Sequence, residues 1–285
     1  MTMTTPSVAQ LPSIIESVAS WQYEGSPIQV HPGDLGWYER FGAESLAGAL
    51  RVWSRDGDTV AVGFLDESEL IRMAIAPAIH DDDGIASDIA DDFVDSLGEL
   101  LPAGSGIVEA RFGDALQRTL TDRGWTADDP WVPLYRDLTP PVPSSSLQVE
   151  VVRPGLIEDR VMVEASAFPG SSLSSDRWHQ MANGHAYRNA KCLVGYDTDG
   201  AAVAATTVWS AGGDRPGVIE PLGVHADHRG RRHGVAMVLA AAEEMRQMGC
   251  SSATVATPSS NTAAVATYRA AGFATPGEVT DFCRP

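Results

Sequence analysis

No stretch of this 285-residue chain approaches the roughly 18–20 uninterrupted apolar residues of a membrane-spanning helix, so a membrane partner is not expected. Cysteine is scarce. Cys192, Cys250 and Cys283 are scattered, odd in number and without the paired spacing of a metal site. They are expected to be free thiols in a reducing compartment, and no metal is expected. Basic residues are in deficit, with 20 Lys and Arg against 38 Asp and Glu and a net charge of −18. A nucleic-acid partner is therefore not expected, because neutralising phosphates needs the opposite balance. Residues 1–12 place no basic residue ahead of an apolar run, unlike a secretory signal. They are expected to be a short disordered lead, and the expected location is cytoplasmic.

What is present suits two domains. An apolar content of 44% and this length allow two cores of about 140 residues each. Residues 1–143 hold 24 acids against 8 arginines, a balance of −16, and the rest hold 14 acids against 12 bases, a balance of −2. The acidic half serves solubility or attracts a cationic, amine-bearing substrate. Leu138-Thr-Pro-Pro-Val-Pro-Ser-Ser-Ser146 lacks apolar periodicity and reads as a linker. The expected division is a domain over 13–138, a linker over 139–146 and a second domain over 147–285.

Periodicity in the second half predicts a strand at 147–153, helices at about 155–168 and 175–186, and a hairpin of 192–196 with 202–209. A strand at 217–224 precedes a helix whose stripe is Val235, Val238, Leu239, Ala242 and Met245, with Gly249 placed to cap it. A strand at 252–256 and a helix from Asn261 to Gly272 follow. The first half repeats the order more weakly: strands at 50–54, 59–64 and 70–75, a helix at 85–101, a strand at 106–110 and a helix at 114–123. Ile75 to Trp125 spans 50 residues and Val224 to Phe273 spans 49, which suggests a duplicated α/β domain with mixed sheets.

Pro221 cannot donate to a ladder, so strand 217–224 is expected to be an edge there, to bulge or to part from a neighbour. The turn that follows, Arg229-Gly-Arg-Arg-His-Gly234, leads straight into a helix. Helix-start amides of His233, Gly234 and Val235, with Arg229, Arg231 and Arg232 beside them, suit an anion such as a phosphate. Gly230 and Gly234 let the backbone approach it. A dinucleotide fold lacks its three glycines here, and a P-loop lacks its Lys-Ser/Thr ending.

Residues 224–273 resemble the cofactor-binding region of the GNAT superfamily of acetyl-CoA-dependent N-acetyltransferases. Arg231-Arg-His-Gly234-Val-Ala236 matches the family turn Gln/Arg-x-x-Gly-x-Gly/Ala, and Asn261 through Tyr268 to Gly272-Phe273 resembles the second cofactor segment. Aligned instead from Arg229, Arg232 stands where the family has a glycine. The resemblance covers about residues 147–280, and the two halves together resemble tandem-domain members such as mycothiol synthase in organisation. It implies acetyl transfer from acetyl-CoA to an amine. Leu222, Gly223 and Val224 would pair with the pantetheine arm, residues 229–235 and Asn261 would bind the cofactor, and Tyr268 would protonate the departing thiolate. Glu220 is the candidate general base, with His225 in reserve. Trp178, His179 and Tyr187 fall where family members place substrate-contacting loops.

In the first half His80-Asp-Asp-Asp83 replaces the arginine turn, Leu120 replaces the tyrosine and Gly113 replaces Asn261, so a degenerate copy without CoA is expected. Two other readings stand beside the small-molecule enzyme: a non-catalytic CoA-binding sensor or scaffold, and a protein N-acetyltransferase. The sequence names neither the amine nor the oligomeric state.

Overall fold

The computed structural model describes all residues, Met1–Pro285. In chain order the elements begin with β1 (Thr2–Thr4), α1 (Leu11–Ser20), α2 (Pro32–Tyr38), α3 (Ala43–Ala49), β2 (Leu50–Arg55), β3 (Asp58–Glu67) and β4 (Leu70–Ile75). Next come α4 (Asp83–Val94), β5 (Ile107–Glu109), α5 (Asp114–Asp122), β6 (Thr126–Asp137) and β7 (Gln148–Val151). Then follow α6 (Ile157–Ala167), α7 (Ser175–Ala182), β8 (Ala190–Tyr196), β9 (Ala202–Ser210) and β10 (Gly217–Val224). The chain ends with α8 (His233–Gln247), β11 (Ser252–Pro258), α9 (Thr262–Ala270) and β12 (Val279–Cys283).

The chain forms two compact units. One comprises Met1–His31, Ala43–Trp131 and Glu278–Pro285, and the other Pro32–Gly42 and Val132–Gly277. This differs from the linear division expected at 139–146. The C-terminal β12 pairs antiparallel with β5 (Phe282↔Val108) and with the start of β6 (Val279↔Trp131), which places residues 278–285 in the first unit. Residues 139–146 lie inside the second unit, where Leu138 and Leu147 are buried at the two ends of the segment. The expected disordered lead is partly a strand instead. Thr2, Met3 and Thr4 of β1 pair with Ser54, Trp53 and Val52, using the hydrogen-bonding edge that β2 would otherwise expose.

Within the first unit, β1 to β4 run antiparallel and β4 meets β5 in parallel after the α4 crossover. Its core gathers Trp53, Ile71, Met73, Ile89, Phe93 and Leu120. The second unit repeats that order: β7 to β10 are antiparallel, α8 crosses over, β11 joins β10 in parallel and α9 follows. Val208, Met237, Val238, Ala242, Met245 and Val255 lie in its core, so the predicted α8 stripe faces inward at Val238, Ala242 and Met245. Both units are therefore mixed α/β sheets built on one plan. No helix is long and apolar enough to cross a membrane.

Candidate active site in the second unit

The site grows from β10. Its pairing with β9 shifts register between Ile219 and Leu222, at Pro221, which has no N–H to give. Side chains of β9 take over there: Trp209 Nε1 donates to the Glu220 carbonyl at 2.7 Å, and Thr206 Oγ1 to the Pro221 carbonyl at 2.8 Å. On its other flank β10 meets β11 only at Gly217↔Ala253 and Val218↔Thr254, and beyond these the ladder stops. His225 N–H donates to Val203 O on the β9 side at 2.9 Å. Strand alternation therefore turns the main-chain groups of Leu222 and Val224 toward the side where β11 has left. Pro221 thus marks the bulge, and the parting from β11 begins earlier, after Val218.

Gly223 sits at the closest approach of α6 to this edge. A Cβ there would lie 2.6 Å from Ala167 Cβ and 2.8 Å from Phe168 Cε2. Gly223→Val is expected to destabilise the second unit by about 1–3 kcal/mol through overpacking, read by urea denaturation. An unchanged midpoint would mean that the end of α6 yields freely.

Beyond β10 the arginine turn is held by its own first residue. Arg229 Nη2 donates to Ala167 O at 2.8 Å and Nε to Val224 O at 3.3 Å, so this guanidinium ties the turn to the end of α6 and to β10. Arg231 and Arg232 are exposed. Gly230 has φ +75° and Arg232, at the N-cap of α8, has φ +65°. Arginine thus adopts the left-handed conformation that favours glycine, at a cost of about 1–2 kcal/mol. The side chain of Arg232 does not cap α8. The first helical residues are His233, Gly234 and Val235, whose amides lie at the positive end of the helix dipole. A Cβ at Gly234 would come within 3.1 Å of Thr267 Cγ2, which sets this first turn against α9.

Asn261 Oδ1 accepts from Ala264 N–H at 3.2 Å, so its side chain is engaged as the N-cap of α9. Tyr268, in the last turn of that helix, is 7% exposed, and its ring lies 5.5 Å from that of Phe273. Burial raises the pKa of its phenol, and the negative charge of Glu220 raises it further. Glu220 thus lies close enough for its charge to act on Tyr268, and both effects favour the protonated phenol. His225, the reserve base, accepts Asp227 N–H at Nδ1 over 3.3 Å.

Three features escaped the sequence. A row of rings runs from Trp178 to Tyr187 (6.1 Å) to Trp209 (5.9 Å), whose indole N–H holds the Glu220 carbonyl. Helix α2, from the first half of the chain, packs on this row: a Cβ on Gly33 would stand 2.5 Å from Trp209 Cγ, and Gly36 also abuts the indole. Asp197, between β8 and β9, approaches His228 and His233. A Gly-x-x-Gly spacing at 33–36 was the one local hint of close packing.

The first unit shows the same frame closed. Ala76 N–H donates to Val60 O at 2.9 Å, as His225 does to Val203, so Met73 and Ile75 correspond to Leu222 and Val224. Here Val30 N–H donates to Met73 O at 3.3 Å, and Ile75 N–H donates to Gln29 Oε1 at 2.8 Å. Residues 29 and 30, both buried, occupy the strand edge. Asp82 Oδ1 caps Ile85 N–H at 3.0 Å, and Arg118 bridges Asp81 and Asp83 at 2.7 and 2.9 Å. Arg118 thus offsets part of the charge of the acidic turn, and Leu120, where the tyrosine would stand, is a core residue.

The second unit is thus an antiparallel sheet that passes through an α crossover into a parallel strand and opens beside that crossover helix. Residues 160–273 match the acetyltransferase (GNAT) family and form a domain of it, which is the acyltransferase part of the chain. A GCN5-related N-acetyltransferase from Sphaerobacter thermophilus shares the fold with TM-score 0.53 at 18% identity, over 100% of this chain and 96% of that one. A GNAT-family acetyltransferase from Colwellia psychrerythraea gives TM-score 0.60 at 13% identity with both chains fully covered. A tandem GNAT protein from the clavulanic acid biosynthesis pathway gives 0.53 at 15% identity over 96% and 93%. No curated protein sequence matches at a significant level.

Proposed function

We propose that the second unit transfers an acetyl group from acetyl-CoA to a primary amine of a small molecule. The observation that carries this reading is the parted edge of β10 together with a buried Tyr268 whose phenol feels the charge of Glu220 on that strand. Acetyl-CoA supplies the activated thioester carbonyl. The residues present suit it: an extended edge at Leu222 and Val224 matches an amide-bearing pantetheine arm, as in strand addition. The amides of His233, Gly234 and Val235, with Arg231 and Arg232, suit the pyrophosphate. Arg229 and Asn261 shape the site by holding the turn and capping α9, and Gly230 and Gly223 keep backbone close to the cofactor's path.

Glu220 then takes a proton from the incoming amine. An alkylamine of pKa about 10.4 is mostly protonated at neutral pH, so this removal matters. Tyr268 donates its proton to the departing sulfur. With Glu220 on the strand and Tyr268 on the helix opposite, acid and base approach the reacting carbon from different elements. The acidic composition favours cationic amines as acceptors.

Acetyl-CoA is expected to raise the unfolding temperature of the second unit. At 100 times its Kd the stabilisation is about 2.7 kcal/mol. A thermal melt unaltered by millimolar acetyl-CoA would sink the reading, and release of free CoA with a panel of amines would identify the acceptor class.

A further inference from the structure

Asp197 opens the turn between β8 and β9. Its Oδ1 accepts N–H bonds from Asp199 and Ala201, each at 3.0 Å, which fix the carboxylate and direct the other oxygen elsewhere. That oxygen, Oδ2, lies 3.7 Å from His228 Nδ1. His233, the first residue of α8, completes a group in which one ligating atom of each residue lies within 4.8 Å of the others. His228 Nδ1 is buried and makes no hydrogen bond. A buried polar atom nearly always has a partner, and one without calls for an explanation such as an ion.

We propose that Asp197, His228 and His233 bind one divalent transition-metal ion of the zinc class. Two imidazole nitrogens and one carboxylate oxygen suit Zn²⁺, Co²⁺ or Ni²⁺, and are poorly matched to Mg²⁺ or Ca²⁺, which take mainly oxygen ligands. Bonds of about 2.0–2.2 Å place tetrahedral ligand atoms about 3.3–3.5 Å apart. The present 3.7 Å contact is close to that spacing, and the other pairs lie within 4.8 Å. Three protein ligands leave a fourth position open. The two backbone amides on Asp197 Oδ1 act as an outer shell that orients the carboxylate.

The sequence pointed away from a metal because it offered no cysteine pairs. The ligands here are two histidines five residues apart and an aspartate from a distant hairpin turn, joined only by folding. A bound ion would clamp the 197–201 turn to the arginine turn and neutralise a carboxylate that faces an anion-holding loop. The site is defined by protein ligands alone, so it stands or falls separately from acetyl transfer.

The test uses the full chain, stripped with EDTA and without acetyl-CoA. Zn²⁺ is titrated by calorimetry and Co²⁺ by visible absorption. The expected result is one ion per chain, with Co²⁺ bands of a four- or five-coordinate nitrogen and oxygen site. Asp197→Asn and His228→Gln should each weaken binding at least tenfold, while keeping the metal-free melting temperature and circular dichroism of the parent. His179→Ala serves as the control: this histidine lies on α7, with Nδ1 2.7 Å from the Ser175 carbonyl, and the variant should bind as the parent does. Binding well below one ion per chain, or equal binding by the parent and His228→Gln, would overturn the proposal and leave the group as a histidine–aspartate ion pair.

Discussion

Tyr268→Phe is expected to lower kcat about 10²–10⁴-fold while the KM for acetyl-CoA changes little. The substitution removes one oxygen from a residue that is 7% exposed, and it leaves the ring contact with Phe273 intact. Stability and cofactor affinity are therefore largely spared, and the loss falls on the proton delivered to sulfur. Burial and the Glu220 charge both raise the pKa of the phenol, so it keeps its proton throughout the alkaline range used for assays. It follows that the wild-type rate should not decline between about pH 8 and 10 through loss of this proton. Steady-state kinetics of both proteins across pH decide the matter. Equal losses in kcat and in acetyl-CoA affinity would assign Tyr268 to packing, and a basic limb below pH 10 that vanishes in the phenylalanine variant would place its pKa lower than the burial argument allows.

Arg160→Ala is expected to cost about 3–5 kcal/mol. Arg160 lies on α6 at 0% exposure and Glu164 at 3%. Nη1 donates to Glu164 Oε2 at 2.8 Å and Nε to Cys192 Sγ at 3.3 Å, while the guanidinium stands 5.9 Å from the Trp37 ring. Removing the arginine leaves Glu164 with only a 3.4 Å contact from Ser171 Oγ, and a buried carboxylate without its cation is severely penalised. Total stabilities of about 5–15 kcal/mol leave little beyond such a loss. The double replacement Arg160→Met with Glu164→Leu should recover most of it, because the pair removed together leaves no orphan. Guanidinium denaturation of the three proteins tests this, and a loss under about 1 kcal/mol in the single variant would show that water reaches Glu164.

What could be seen in the sequence was whatever is written locally. The limits of β4 and β10 coincide with the strands expected at 70–75 and 217–224, and Asn261 caps α9 as its side chain predicts. The arginine turn and Tyr268 carried a motif, so half of the candidate site was visible before folding. The unseen parts depend on partners far away in the chain. Strand β12 exists because Phe282 finds Val108, and β1 because Met3 finds Trp53. Residues 32–42 join the second unit through two glycines pressed on Trp209, about 170 positions downstream. The group of Asp197, His228 and His233 was invisible for the same reason, since a hairpin turn carries no record of which loop it will meet. Gly113, where Asn261 stands in the other copy, is one departure that could be read in advance: its φ of +103° suits a glycine, and at the N-cap of α5 it has no side chain to accept from the first turn.

Gln29 and Val30 on the edge of β4 give the first unit a permanent, tethered occupant. A peptide joined to its own groove acts at an effective concentration that no freely diffusing metabolite need match, and it cannot be washed out. On the proposed reading the second unit has no such insurance. Its occupant would be a diffusible cofactor that binds and leaves. Starvation for acetyl-CoA would then loosen one half of the protein while the other half kept its full stability.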